Sequence, residues 1–300
     1  MNPPLVRDAF LEPALHLLST LDSYRGDLDY SDPEFLTLGI RRINTFHPSG
    51  RSFLQSVRQC DLTDVSLRAY FGAVSSPRRL RLLCELNTAL SRTIAPTVDR
   101  FAAFPELEGR DVLALDGHDI QHATHEPPAT TAGGRREVPD TLTGVFLRDL
   151  RTGAARVLAQ TDGHQHEWAA VKARPWADFH WRAEAKKTIL VIDPVAVDFE
   201  FLLGAKYKGR FTVITRSKAN LVVRESKPLR WNQQDGRNQG VFADERVRFA
   251  GPGEFRRVRY EDAGSGGVYE FLPTEFHLPP GVIAQLYRLR WDIEKFFDVC

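Results

Sequence analysis

Cysteine is scarce in this sequence. Cys60, Cys84 and Cys300 are the only three in 300 residues, and no Cys-x-x-Cys pair occurs among them. A disulfide framework and a cysteine-built structural zinc site are therefore both excluded, and a reducing compartment fits. Long uncharged runs are missing too. The opening MNPPLVRDAFLEPALHLLSTLD carries Asp8, Glu12 and Asp22 through its apolar stretch, and no uncharged run reaches the roughly 18 residues that would span a bilayer. The expectation is a cytoplasmic protein, neither secreted nor embedded in a membrane. Internal repeats and low-complexity segments are absent. With 42% hydrophobic and 26% charged residues, the composition excludes disordered and collagen-like classes and describes one large globular domain or two or three small ones.

Net charge is almost absent as well, at +1, but that neutrality is a cancellation. Residues 1–35 hold two bases against seven acids, 36–100 ten against four, and 206–259 fourteen against five; the remainder sums to −9. Basic blocks around an acidic centre suit a protein that grips a polyanion with its flanks and does carboxylate and metal chemistry between them. Any single window of this length wanders by several charges, so the pattern gains meaning only beside the motifs.

From Asp32 to about Ala95 short helices are expected. Asp32-Pro33 reads as an N-cap followed by proline at the first helical position, and Leu80, Leu83, Leu86 and Leu90 form an apolar stripe. Cys60 and Cys84 read as small core fillers within it. As a set, Arg41, Arg42, Arg51, Arg58, Arg68, Arg78, Arg79 and Arg81 suit phosphate contacts, although a solvated helix face explains any one of them. Beyond Pro105 strand patterns take over. Val112-Leu113-Ala114-Leu115 is closed by Asp116-Gly117, and Thr188 to Ile192 by Asp193; strands at 144–148 and 156–161 and a helix near 166–173 lie between them. Residues 198–205 read as a helix, 211–215 and 269–272 as strands, and 218–267 as a polar, Arg- and Gly-rich stretch with weak strand signals. After Leu278-Pro279-Pro280 a helix is expected from about Gly281 to the end.

Two acids thus stand at the carboxyl ends of apolar strands, where open α/β sheets build sites, and a third, Glu294, lies on the last helix. Tyr287, Arg290 and Glu294 are spaced i, i+3, i+7 and share one helical face. Three converging carboxylates repel one another unless a cation neutralises them, and their hard oxygens suit Mg²⁺ or Mn²⁺. Metal pairs roughly 3.5 to 4 Å apart serve in-line displacement at phosphorus. Arg290 would offer a planar fork to phosphate. Separately each piece has a plainer explanation: Asp116-Gly117 a turn, Asp193-Pro194 a strand terminator, Arg290 with Glu294 an exposed ion pair. His118, His122, His125, His164 and His166 raise a zinc alternative, but their spacing matches no zinc pattern and polar loop residues are the better reading.

Tyr287-x2-Arg290-x3-Glu294, in YRLRWDIEKFF, resembles the Tyr-x2-Arg-x3-Glu-x6-Lys signature of bacterial insertion-sequence transposases of the DDE class, the branch often called the IS-four family. The preceding VYEFLPTEFHLPPGVIAQL resembles that family's strand, proline-containing link and helix; LALDGHD resembles its first acid motif with Asp116, and TILVIDPVAVDFEFL its second with Asp193. The likeness runs from about residue 30 to the end. It implies an α/β fold with a ribonuclease-H-like catalytic core over 101–217 and 268–300, a helical DNA-binding region over 1–100, and a mainly β insertion over 218–267. It implies Asp116, Asp193 and Glu294 as catalytic ligands of Mg²⁺, with Mn²⁺ able to substitute, and Tyr287 and Arg290 as DNA contacts. The reaction implied is cleavage and joining of phosphodiesters at the ends of an insertion sequence in double-stranded DNA, by a homodimer located with the bacterial nucleoid. An aromatic residue of the insertion region, Tyr269 or Trp231, would stack on a flipped base. Two departures stand out. The signature lysine would be residue 301, so a chain shortened at its carboxyl end is expected, and the alternative function is a remnant that binds DNA without completing transposition. A metal-dependent nuclease without strand transfer is a further reading. Pro194 replaces the usual Arg-Gly-aromatic run after the second acid, which leaves Asp198 as a competitor to Asp193.

Overall fold

Serine caps punctuate the amino-terminal part of the chain. The computed structural model describes residues 4–45, 47, 49–94, 99–121, 141–162, 167–182, 187–194, 198–218 and 220–298. The chain divides into two compact units, Met1–Ile94 and Ala95–Cys300. The first holds α1 (Pro4–Leu18), α2 (Asp32–Ile43), α3 (Gly50–Gln59), α4 (Leu67–Val74) and α5 (Pro77–Thr93). Ser31, Ser49, Ser66 and Ser76 cap α2 to α5, each hydroxyl accepting the backbone N–H three residues on and so satisfying a donor that the first helical turn leaves unpaired. The cap of α2 is therefore Ser31 and not Asp32. Asp32 lies within the helix, fully buried, and accepts hydrogen bonds from Arg78 and Arg79.

That pairing shifts the apolar stripe of α5. Arg79, Leu82 and Leu86 form the buried row, while Leu80 and Leu83 of the expected stripe are exposed. The row rotates because Arg79 must face Asp32, and a buried arginine is invisible to hydrophobic periodicity. Cys60 and Cys84, read from sequence as core fillers, are both exposed: Cys60 closes α3, and Cys84 lies off the Leu82 and Leu86 face. Leu82 and Leu86 pack with Leu11, Ala14 and Leu18 of α1 and Leu36 of α2. Helices α2, α3 and α4 share a second core of Phe35, Leu38, Phe53, Leu54, Val57 and Tyr70.

Helix α3 ends in a Schellman motif. The Asp61 N–H donates to the Arg58 carbonyl and the Leu62 N–H to the Val57 carbonyl, with Asp61 left-handed at φ 52°. A β-carbon in that conformation is costly where glycine is not. Asp61→Gly is expected to stabilise the chain by roughly 0.5 to 1 kcal/mol, read as a higher midpoint in thermal melting.

The second unit is built on one nine-stranded mixed sheet: β1 (Arg110–Gln121), β2 (Thr141–Asp149), β3 (Ala155–Asp162), β4 (Lys187–Ile192), β5 (Phe211–Arg216), β6 (Glu225–Pro228), β7 (Val241–Arg248), β8 (Phe255–Glu261) and β9 (Val268–Pro273), in the order β3-β2-β1-β4-β5-β9-β8-β7-β6. Strands β1, β4 and β5 run parallel, and β2, β3 and the β9-to-β6 half pair antiparallel. The stretch 218–267, expected as an insertion, supplies β6, β7 and β8, and these extend the same sheet through β9. Four α-helices lie in this unit among the described residues: α6 (Glu167–Lys172), α7 (Phe199–Gly204), α8 (Pro280–Leu289) and α9 (Trp291–Phe297).

Both faces of the central strands are covered, which is why they read as unbroken apolar runs. Leu113, Leu115, Leu190 and Ile192 face a core with Val171, Phe179, Phe201 and Leu202; Val112, Ala114, Ile189 and Val191 face the opposite core with Val282, Ile283, Leu286 and Ile293. This alternation carries Asp116 to the face occupied by α8 and α9. No helix among the described residues is long and apolar enough to cross a membrane.

Candidate active site

Asp116 lies within β1, which continues five residues past it to Gln121; the sequence had suggested that the strand ends there. The continuation is held by β2, whose Phe146 pairs with Asp116 and whose Thr141 pairs with Gln121. Asp193 follows the last residue of β4 directly, and β1 and β4 are parallel neighbours with Leu115 opposite Ile192. The two acids therefore emerge side by side. Glu294 comes from α9. The single closing helix expected from sequence is two, meeting at Arg290, where the Arg290 N–H turns back to the Tyr287 carbonyl three residues earlier, a tightening that interrupts the α ladder.

The guanidinium of Arg290 draws the three acids together. One terminal nitrogen donates to Asp116 Oδ2 at 2.8 Å; the other donates to Glu294 Oε1 at 2.5 Å and lies 3.9 Å from Asp193 Oδ2. Arg290 is only 4% exposed, so this is no solvated helix-surface pair. Its Nε is buried without a hydrogen-bond partner. Burial pushes the Asp116 carboxyl above the ordinary aspartate range, against the pull of Arg290, and the nearby charges of Asp193 and Glu294 add to the rise. Arg290 is held above its ordinary value, since Tyr287, Glu294 and Asp116 together outweigh its own desolvation. Tyr287 is buried beside Phe271, ring centres 5.1 Å apart, and burial pushes its hydroxyl up to about 12. It stays a neutral phenol at any physiological pH.

Of the predicted residues, then, Asp116, Asp193, Tyr287, Arg290 and Glu294 come together. Asp198 does not join them: its carboxylate caps α7 through the Phe201 N–H and accepts from Lys172 Nζ at 3.0 Å. Tyr269 stacks on Phe271 with Arg216 over its ring, and Trp231 is half-buried in the segment after β6. His118 stacks on Phe297 with ring centres 4.6 Å apart; His122, His125, His164 and His166 lie outside the described residues. The five acids of 206–259 pair with arginines of the same block, which leaves nearly all of its basic excess in place. Arg256 pairs with Asp244, Arg257 with Glu245, Arg246 and Arg248 with Glu254, and Arg237 with Asp235 and Glu106.

Sequence reasoning missed Glu167. At the start of α6 it lines one small cavity with Asp116, Gly117 and Asp193. A β-carbon on Gly117 would fall 1.7 Å from Glu167 Oε2, so glycine next to Asp116 leaves space that this carboxylate fills. The Asp-Gly pair, read as a turn signal, was the available clue.

The donor chemistry fits a hard divalent cation. Asp116, Asp193 and Glu294 surround the Arg290 guanidinium, Glu167 shares a small cavity with the two aspartates, and carboxylate oxygens are the ligands Mg²⁺ and Mn²⁺ take. Among the described residues no three acid, histidine or cysteine side chains stand close enough to hold an ion as they are. The Arg290 guanidinium lies between Asp116 and Glu294 and supplies the positive charge there, with its Nε left unsatisfied. No family model matches the chain, and a comparison with curated proteins gives no match.

Proposed function

We propose that the second unit is the ribonuclease-H-like catalytic core of a DDE-class transposase, which cleaves and joins DNA phosphodiesters at Asp116, Asp193 and Glu294. The observation that carries this reading is the meeting of those three acids, from two adjacent parallel strands and a helix nearly 180 residues distant from the first, around one buried arginine. The strand order supports it: three antiparallel strands, β3-β2-β1, continue into parallel β4 and β5, and the acids stand at the shared carboxyl edge.

Asp116, Asp193 and Glu294 would hold Mg²⁺ or Mn²⁺, and Glu167 lines a small cavity with the two aspartates. Bound there, the metal supplies activation of the attacking oxygen and stabilisation of the leaving one. The chain's own residues do the rest. Arg290, always protonated, presents a fork whose geometry matches a phosphate as well as a carboxylate, so a DNA phosphate competes directly with Asp116 and Glu294 for it. Tyr287, kept neutral by burial, remains a hydrogen-bond donor toward an anionic backbone. Double-stranded DNA is the partner, and the helical unit with its basic 36–94 stretch is the proposed DNA-binding region.

The test is nicking of supercoiled plasmid by the purified chain. Relaxed circles are expected with Mg²⁺ or Mn²⁺, none after chelation, and none from Asp193→Asn or Glu294→Gln. Joining of a free 3′-hydroxyl oligonucleotide to the plasmid separates a transposase from a plain nuclease. Cutting that survives the chelator or both substitutions, or a wild-type chain that cuts with neither metal, overturns the reading.

A further inference from the structure

The eight arginines grouped in the sequence are not equivalent in the folded helical unit. Arg78 and Arg79 are bound to Asp32, and Arg42 donates to the His47 carbonyl beneath the ring of Phe53. These are structural. Arg51, Arg58, Arg68 and Arg81 are different: all four are exposed, and among the described residues none of their side chains makes a hydrogen bond or ion pair, but of these four only Arg51 and Arg58 share a helix.

Both belong to α3, which is sharply two-faced. Phe53, Leu54 and Val57 enter the core shared with α2 and α4, while Arg51, Gln55, Arg58 and Gln59 stand exposed on the opposite side. Arg51, Gln55 and Arg58 are spaced i, i+4, i+7 and form one row along about two turns. The helix contains no acid. The row borders a groove that Gln59, Thr63 and Asp64 also line.

We infer that α3 is a base-reading helix, which enters the major groove of duplex DNA with Arg51, Gln55 and Arg58 turned to the base edges. This rests on the reading of the helical unit as DNA-binding and specifies which surface reads sequence. Side-chain type decides the ligand. Arginine makes bidentate contacts with guanine and glutamine with adenine in the major groove, which is wide enough for one helix. A free cationic row fixed on a packed helix suits that task, since sequence readout requires side chains held in register on a rigid element. Single-stranded RNA would call for aromatic platforms, and the exposed face of α3 has none.

The experiment is selection from a randomised duplex DNA pool by the full chain in the presence of chelator, so that binding is read without cleavage. The wild-type chain is expected to enrich a motif. Gln55→Ala and Arg58→Ala are each expected to weaken binding to that motif roughly ten- to a hundredfold and to relax different base positions, with affinity for unrelated duplex much less affected. Arg58→Lys keeps the charge and should still lose the base preference, which separates readout from attraction to phosphate. Unchanged helicity and melting identify each variant as folded. A wild-type chain that enriches no duplex motif, or variants that recover the same motif at the same affinity, overturn the inference. Plasmid nicking that persists in that case leaves the catalytic reading standing; an α3-dependent motif without metal-dependent nicking leaves the base-reading helix and removes the transposase.

Discussion

Asp116→Asn is expected to abolish metal-dependent cleavage, by about 10³-fold or more, while changing the stability of the chain by less than about 1 kcal/mol. The two halves of this expectation have one cause. Asp116 is a carboxylate that burial and the charges of Asp193 and Glu294 disfavour, and Arg290 relieves this only in part. Asparagine has nearly the same shape and can still accept from Arg290, whose other terminal nitrogen keeps Glu294. The fold thus loses an ion pair and a buried charge together, which offset one another. The proposed chemistry loses a negative ligand that a neutral amide cannot replace. Plasmid nicking beside a thermal melt checks both halves. A variant that still nicks removes Asp116 from the catalytic set, and a variant that unfolds assigns it a structural role instead.

The elements that hold the site are those whose sequence carries the plainest pattern. Central parallel strands covered on both faces must be continuously apolar, so 112–115 and 188–192 stand out, and an acid directly after such a run is conspicuous. The face shared by Tyr287, Arg290 and Glu294 follows from helical spacing alone and survives the break at Arg290, because that break changes the hydrogen bonds and not the direction of the side chains. What stayed hidden is what depends on partners distant in sequence. Strands β7 and β8 bury Asp244 against Arg256, with both side chains at most 3% exposed, so positions that face inward read as polar and the alternation is lost. The extension of β1 beyond Asp116 is imposed by pairing with β2. Glu167 belongs to the site only because β1 and α6 are brought together, and no local pattern announces it. Within 206–259, Arg256 and Arg257 pair with Asp244 and Glu245 of the neighbouring strand, yet the acids of the block are too few to cancel its basic excess.

The same blindness to buried charge governs the helical unit, and Asp32→Asn is expected to cost it about 3 to 5 kcal/mol, the range for removing one partner of a buried ion pair. Asp32 is fully buried and accepts from Arg78 through both oxygens, from Arg79 Nε at 3.1 Å, and from the Arg25 N–H at 2.8 Å. It ties the start of α2 to the start of α5 and to the segment before α2. An amide in its place offers one acceptor oxygen and turns an NH₂ group toward a guanidinium, leaving Arg79, 4% exposed, without its counter-charge. Burial alone would raise the Asp32 carboxyl, but the Arg78 and Arg25 hydrogen bonds and the two guanidinium charges hold it below the ordinary aspartate value. Its folded-state value is therefore below its unfolded one. The stabilisation is complete above about pH 4 and is lost as the pH falls through the lowered value. Denaturant melts of the full chain should show Asp32→Asn strongly destabilised at pH 7 and much closer to wild type at strongly acidic pH, where both carry a neutral side chain. Equal stabilities at pH 7 would show that the Asp32 pair does not hold α2 to α5. A gap that persists undiminished in acid would assign the effect of Asp32 to packing and not to charge.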